Sequence, residues 1–471
     1  MDFLKPLWEH QKDTLELAKD RPHHALFHEM GVGKTATTVN LLRYKCALAK
    51  RQLRTLIICP VVVCENWKRE IAIHSRMIGA TCVLKGSGKA RLEIFRDYEK
   101  RREGNFIAIT NFEAVQMREL YLALMQWKPE VLIIDESQRV KNPKAQRTKF
   151  IIALSDLVPY KYLLSGTPIL NNPMDIYSQY RILDGGETFG KNYYAFRNQY
   201  FYDKNAGMPS QKYFPDWRPR GGTLEVFNQK IYKKANRVLK KDCLDLPPLV
   251  KQRVFVELGT EQEKMYESMK KHFIAYLSDK KCVAQIALTK CLRMQQILSG
   301  FFVSDEGEVT RFKDNPRIKA LIELVEDLVT DHKIIIWATF QENYAQLQEA
   351  LAHIPFNFAF LTGGLTDRQR QKHIDSFQND PETRIMIANQ GAGGVGVNLT
   401  AADYAIYFSR NYSLEQDMQS EARNHRGGSE VHEKITRVDI VAQGTLDELI
   451  LEALYRKEDM ANTILSLKEK I

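Results

Sequence analysis

Residues 28–35 read His-Glu-Met-Gly-Val-Gly-Lys-Thr, with a short apolar run before them and a helical pattern, Ala36 to Leu48, after them. That order constrains the fold more than any other feature, because a strand that turns on glycines straight into a helix opens a parallel α/β unit. Gly31 and Gly33 let backbone N–H groups curl around phosphate oxygens, and the helix N-terminus adds a partial positive charge. In that reading Lys34 reaches the β- and γ-phosphates and the Thr35 hydroxyl ligates Mg²⁺. The strict phosphate-loop pattern asks for glycine where this chain has His28. The plainer alternative is a tight left-handed turn capping a helix.

About a hundred residues later stands Val131-Leu132-Ile133-Ile134-Asp135-Glu136-Ser137-Gln138. An apolar strand ending in two acids delivers both carboxylates to the carboxyl edge of a sheet, where α/β proteins bind ligands. Asp135 is expected to hold Mg²⁺, directly or through water, and Glu136 to orient and deprotonate the attacking water. Alone, such a strand end is commonplace. With a phosphate loop upstream in the same domain, a nucleotide site is the favoured reading.

Short apolar runs alternate with amphipathic stretches in two regions. His24–His28, Thr55–Cys59, Phe106–Ile109, Val131–Ile134 and Tyr160–Leu164 read as strands of one domain. Lys333–Trp337, Asn357–Leu361, Arg384–Ala388, Tyr404–Phe408 and Ile435–Val441 read as strands of a second. The fold class is therefore α/β with two parallel-sheet lobes. Lobe one is placed at 1–185, a basic, aromatic-rich insertion at 186–247, and lobe two at 248–471 with a helical insertion at about 260–312. Thr445 and Glu448 have capping-box spacing, and a stripe from Leu446 to Leu465 predicts an amphipathic helix over 445–468.

Charge locates a partner. Lys and Arg number 68 against 58 Asp and Glu, a formal surplus of ten. Between Gly186 and Arg253 there are 14 basic and 6 acidic side chains, so most of that surplus sits in one stretch. Twelve aromatics between Phe189 and Tyr232 interleave with it. Such a mixture can track a phosphate backbone and stack or wedge against bases; the bland reading is an aromatic core with a solvated basic face. Hydrophobic residues at 44% exclude wholesale disorder. Seven scattered cysteines without a C-x-x-C pair argue for a reducing compartment. The longest uncharged apolar run, Leu56 to Cys64, is too short to span a membrane, and residues 1–5 do not open a signal peptide, so a cytoplasmic chain is expected.

With these elements placed, the chain from about Leu7 to Leu465 resembles the Snf-type DNA-translocating ATPases of helicase superfamily two. Leu7-Trp8-Glu9-His10-Gln11 is similar to the family's adenine-recognising segment, with Gln11 the matching glutamine. His28–Thr35 resembles its phosphate loop, which also lacks the first glycine. Cys59-Pro60 through Asn66-Trp67 to Glu70 resembles the segment that touches the DNA backbone. Asp135-Glu136-Ser137-Gln138 resembles the Asp-Glu-x-His box, with Gln138 at the histidine position. Ser165-Gly166-Thr167, followed by Asn171-Asn172, is similar to the motif coupling hydrolysis to lobe movement.

In the second lobe Gly393 to Leu399 resembles the glycine-rich element that contacts DNA and the nucleotide cleft, with Gly396 and Asn398 its candidate residues. Gln419 to Arg426 is similar to the motif carrying two arginine fingers, Arg423 and Arg426, which lie on one face if that segment is helical. Ala422, Gly427, Ser429, Ser409 and Tyr412-Ser413-Leu414 depart from the family's usual residues. Arg237 to Pro248 resembles the basic stretch closing the family's inter-lobe insertion, and Lys233, Lys234, Arg237, Lys240 and Lys241 are its expected DNA contacts. Lys457 and its helix resemble the C-terminal element that braces the lobes.

The resemblance implies an ATP-dependent, Mg²⁺-requiring translocase of double-stranded DNA, with protein–DNA complexes as further substrates, no membrane partner and a monomeric chain. ATP is expected between Lys34, Thr35, Asp135 and Glu136 on one side and Arg423 and Arg426 on the other. A compact chain without reader domains fits a bacterial or phage source. Two rivals stand beside it: strand separation of DNA or RNA by the same motor, and a catalytically dead DNA-binding scaffold.

Overall fold

The computed structural model describes residues 3–169, 172–207, 215–243, 245–278, 284–304, 306–391, 397–410, 413–452 and 454. Residues 1–244 and 245–456 fall into two compact units. The first holds α1 (Glu9–Ala18), β1 (His23–His28), α2 (Lys34–Ala49), β2 (Thr55–Cys59), α3 (Cys64–His74), β3 (Thr81–Val83), β4 (Ile107–Asn111), β5 (Val131–Asp135), β6 (Tyr160–Leu164), β7 (Phe201–Asp203), β8 (Trp217–Pro219) and β9 (Ala235–Val238). Seven of these strands form one parallel sheet in the order β3-β4-β2-β5-β6-β1-β9. The inner strands β2 and β5 are buried along their whole length, which is why they read as nearly unbroken apolar runs.

Register decides where function can sit. Asp135 lies beside Leu164, and Leu164 beside Leu26, so the loops leaving β5, β6 and β1 emerge side by side at the carboxyl edge.

The second unit contributes β10 (Leu249–Val256), β11 (Phe301–Val303), β12 (Val309–Arg311), β13 (Ile334–Trp337), β14 (Asn357–Leu361), β15 (Thr383–Ala388), β16 (Tyr404–Tyr407) and β17 (Ile435–Ala442). Six form a parallel sheet, β10-β17-β16-β13-β15-β14. Its core packs Ile334, Ile336, Ile385, Ile387, Ile406, Val438 and Ile440 against the helix Pro316–Leu328. Residues 446–452 and 454 are helical, and 455–468 of the expected brace helix, Lys457 included, lie outside the described residues. No helix among the described residues is long and apolar enough to cross a membrane.

One sequence expectation needs correction, and one of two alternatives is favoured. The stretch 186–247 is not a separate insertion: Ala235–Val238 pairs in parallel with β1 as the edge of the first sheet, and the division between units falls after residue 244. Most of the described aromatic residues of that stretch lie in or against the core. Phe189, Phe196, Tyr200, Phe201 and Phe227 are buried against Tyr177 and Tyr180 of the helix Ile176–Asp184, with ring centroids about 5–6 Å apart. Burying so much aromatic area outweighs any use of these rings as stacking platforms or wedges. Strands β9 and β10 escaped the sequence reading because Ala-Asn-Arg-Val and Leu-Val-Lys-Gln-Arg-Val-Phe-Val carry the charges that edge strands use against aggregation.

The histidines of β1 give the first unit an acid limit. Burial disfavours the charged imidazole, pushing His24 down to about 4 and His28 to about 3. As pH falls below 6.5 the unfolded chain takes up protons that the folded one refuses, so stability present above 6.5 is progressively lost. At pH 5 the pair removes about 4 kcal/mol. Asp135, raised to about 6 by burial and by Glu136, works oppositely and returns about 1 kcal/mol. Urea unfolding of the first unit is therefore expected to lose about 3 kcal/mol between pH 7.5 and 5, with His28→Leu showing well under half that loss. A stability indifferent to pH over this range would refute the assignment.

Candidate nucleotide site

The phosphate loop is built by a strand that ends late. His28 is still paired in β1, with Val238 opposite and its ring buried, so nothing at that position asks for glycine. Gly31 and Gly33 do need it, with φ of 89° and 77°. Lys34 Nζ donates to the carbonyls of His28 and Glu29 at 2.8 and 3.0 Å, holding its charge over the mouth of the loop. Glu29 Oε2 accepts the backbone N–H of Lys240 at 2.7 Å, which ties the loop to the chain after β9.

Gln11 is buried and its amide is used at both ends. Oε1 accepts from the Trp8 backbone N–H at 2.8 Å, and Nε2 donates to the Gly33 carbonyl at 3.1 Å. Here it acts as a strut between the start of α1 and the phosphate loop. A Cβ on Gly33 would lie 2.1 Å from Gln11 Nε2, in a left-handed backbone besides. Gly33→Ala is therefore expected to weaken nucleotide binding at least about tenfold, the strain being worth about 1–3 kcal/mol. Titration with a fluorescent ATP analogue checks this, and an unchanged affinity would show that the loop does not seat phosphates.

The acidic pair sits at the end of β5. Asp135 and Glu136 are both buried, and Glu136 takes the left-handed conformation at φ 56°, an uncommon choice for a non-glycine residue that is often tied to function. Asp135 Oδ1 accepts the Glu136 N–H at 3.0 Å and Oδ2 accepts the Trp67 indole N–H at 2.9 Å. Burial and the neighbouring Glu136 raise its pKa to about 6, while Trp67 and Lys34 pull it back. A buried carboxylate beside a second one, with a spare lone pair on each oxygen, and a threonine hydroxyl at the start of α2 are the hard oxygen donors that suit a divalent cation.

From Glu136 a chain of hydrogen bonds leads away. Gln138 Nε2 donates to Glu136 Oε2 and Ser165 Oγ donates to Gln138 Oε1, both at 2.7 Å. Ser165 Oγ in turn accepts the Thr167 N–H at 3.1 Å. Gln138 thus fills the position of a histidine with a donor and an acceptor that never titrate. Gly166 lies so close to Met30 that a Cβ there would be 3.1 Å from its side chain, bringing the Ser165–Thr167 segment against the phosphate loop. Gln179, fully buried, accepts from Ser137 Oγ at 2.7 Å and donates to the carbonyls of Pro168 and Asp175. Sequence reasoning missed it, because a glutamine beside Ser178 and Arg181 in a mixed helix carries no local signal of burial.

Other expected site residues fare differently. Trp67, expected on the DNA backbone, is 0% exposed and belongs to Asp135. Pro60 is buried, whereas Asn66 is partly exposed. Lys234 is paired with Asp184 at 3.0 Å and Glu187 at 2.7 Å, so it serves the fold rather than DNA. Lys233 and Lys241 are exposed, and Arg237 and Lys240 are half-buried. Gly396, Asn171 and Tyr412 lie outside the described residues, and Asn398 is exposed.

Arg423 and Arg426 are not on a helix: Leu414–Glu421 ends before them, and they occupy the turn that follows. Arg423 is buried, with its carbonyl accepting the Leu399 N–H at 3.0 Å, and Arg426 donates to the Val397 carbonyl at 3.3 Å. The helix before them is held by Arg437, whose guanidinium meets Asp417, Glu421 and Asp439.

A phosphate loop, an acidic pair two strands away and a hydrogen-bonded link to the end of the strand between them define a nucleotide-handling α/β domain, followed here by a second parallel-sheet unit. The SNF2-related domain matches residues 10–300 and the helicase conserved C-terminal domain residues 316–428. The chain belongs to the SNF2-related family of helicase superfamily two ATPases.

It is 26% identical over 451 residues to an uncharacterized ATP-dependent helicase of Mycoplasma genitalium, covering 93% of this chain and 40% of that protein. It is 26% identical over 468 residues to the transcription regulatory protein SNF2 of Saccharomyces cerevisiae, covering 93% and 26%. The chain spans less than half the length of these curated relatives. Among solved structures it is similar to the Sulfolobus solfataricus SWI2/SNF2 ATPase core in complex with dsDNA, at 23% identity and a TM-score of 0.46 over 98% of this chain and 94% of that one.

Proposed function

We propose that the protein hydrolyses ATP with Mg²⁺ and couples the reaction to movement along double-stranded DNA, displacing what is bound there. The observation that carries this reading is the chain from Glu136 through Gln138 to Ser165 and Thr167. A scaffold that merely bound DNA would have no use for a buried, hydrogen-bonded link from a water-activating carboxylate to a neighbouring strand end.

Lys34 would exchange its two carbonyls for β- and γ-phosphate oxygens. Thr35 and Asp135 would hold Mg²⁺, which when bound neutralises charge on those oxygens. Glu136, bonded to Gln138 on one oxygen, keeps the other to orient and deprotonate water. Arg423 and Arg426 would supply permanently charged donors to the transferring phosphoryl group. The exposed Asn398, Lys233 and Lys241 and the partly exposed Asn66 offer polar and basic groups to phosphates, so binding should be salt-sensitive and weakly sequence-specific.

Strand separation is the less supported reading, since most of the described aromatics that were candidates for a wedge lie in or against the core. Triplex displacement run beside forked-duplex unwinding decides between the two. ATP-dependent loss of the third strand without unwinding is expected; unwinding without triplex displacement would make the protein a helicase.

A further inference from the structure

The residue that tethers the metal-holding carboxylate stands on the helix whose approach is expected to meet DNA. Trp67 lies in the first turn of α3, fully enclosed, and its indole N–H meets Asp135 Oδ2 at 2.9 Å. Together with the Glu136 N–H on Oδ1, this bond fixes the plane of the carboxylate. The turn Val61–Val63 leads directly into α3, and Val61 is 62% exposed. Cys64 packs its sulfur 3.5 Å from that of Cys59 at the end of β2, and Ile71 and His74 are buried further along the same helix. One helical turn therefore separates a solvent-facing loop from the indole, and close-packed interiors transmit small displacements rather than absorb them.

We propose that Trp67 is a positioning residue: it aims the Asp135 carboxylate at Mg²⁺ and makes that aim depend on what presses on the Pro60–Asn66 segment. The proposal rests on the reading of that segment as a contact to duplex DNA. Phosphates seated there would settle the first turn of α3 and with it the indole, so part of the stimulation of ATP hydrolysis by DNA arises at the metal-holding carboxylate.

Trp67→Phe removes the N–H and keeps an aromatic ring in the enclosure. Benzothienylalanine at position 67 does the same at the full ring size, and serves where the phenylalanine variant fails to fold. The first readout is a Mg²⁺ titration of a bound fluorescent ATP analogue in the absence of DNA. Half-saturating Mg²⁺ is expected to rise about tenfold or more, the usual effect of removing a partner of a metal-holding group, while metal-free nucleotide affinity stays put. The second readout is the ratio of ATPase rates with and without duplex, which is expected to fall at least severalfold at unchanged duplex affinity.

An unchanged Mg²⁺ requirement overturns the proposal, and so does a loss confined to duplex affinity, which would make Trp67 a DNA contact. A variant stimulated by duplex as strongly as the wild type overturns the coupling alone. A wild type indifferent to duplex overturns the proposed function and the coupling together, and the Mg²⁺ titration then stands as the measure of positioning by itself.

Discussion

Replacing Glu136 with glutamine is expected to lower the rate of ATP hydrolysis by about 10²–10⁴-fold, the range for losing a general base, while leaving nucleotide bound. The substitution is close to isosteric, and the amide oxygen of the new residue can still accept from Gln138 Nε2, which now sits 2.7 Å from the carboxylate. The link onward through Ser165 therefore survives, and what disappears is the capacity to take a proton from water. A second consequence separates this outcome from simple damage. The charge of Glu136 is one of the two causes that raise Asp135, so its removal lets that carboxyl fall back towards its ordinary range. Mg²⁺–nucleotide binding should then be as tight as in the wild type or tighter. Equilibrium binding beside steady-state turnover checks both halves. A variant that hydrolyses at the wild-type rate would remove Glu136 from the chemistry, and one that no longer binds nucleotide would mean its role is structural.

The second large effect concerns stability. Arg437, with 2% of its side chain exposed, fans over Tyr407 with its guanidinium 4.0 Å from the ring centroid. Its nitrogens reach Asp417 bidentately at 2.9 and 3.0 Å, Glu421 at 3.0 Å and Asp439 at 3.1 Å. Arg410 and Lys251 complete a cluster of three cations and three carboxylates. Burial pushes Asp439 up, yet Arg410 and Arg437 outweigh it and hold the group below its ordinary range. Arg437→Met fills the space but leaves Asp417, Glu421 and Asp439 facing one another, and breaking a buried network in this way costs about 3–5 kcal/mol. The second unit should therefore unfold at markedly lower urea, as followed by circular dichroism. Arg437→Lys, which keeps the charge and loses the fork, should fall between. Equal stability of all three proteins would show that the cluster contributes nothing net.

How much of this was legible in the chain differs from element to element. Strands Thr55–Cys59 and Tyr160–Leu164 have the bounds their apolar runs suggest, because a strand buried on both faces leaves a nearly unbroken local signal. The pairing of phosphate loop and acidic strand end was equally open to reading, since each is a strand-to-loop transition whose chemistry sits in consecutive residues. Trp67 shows the opposite case. Its place in a recognisable segment suggested DNA, yet its indole is spent on a carboxylate 68 positions away. Lys234 likewise looked like part of a basic patch until Asp184 and Glu187 came within 3.0 Å. The aromatic stretch was read with two outcomes, and burial chose the plainer one.

The amino-acid sequence by itself determined the α/β class, the two successive sheets, the glycines that the loop requires and the identity of the charged groups able to handle phosphate. These depend on backbone conformation and on hydrophobic periodicity within a few residues of each position. Tertiary structure alone decided which of those groups are spoken for. It assigned Trp67 to Asp135, Gln138 to a link between Glu136 and Ser165, Gln11 to Gly33, and Arg437 to three carboxylates. A buried polar atom must find a partner wherever the fold brings one, and sheet order, not spacing along the chain, sets which partner that is.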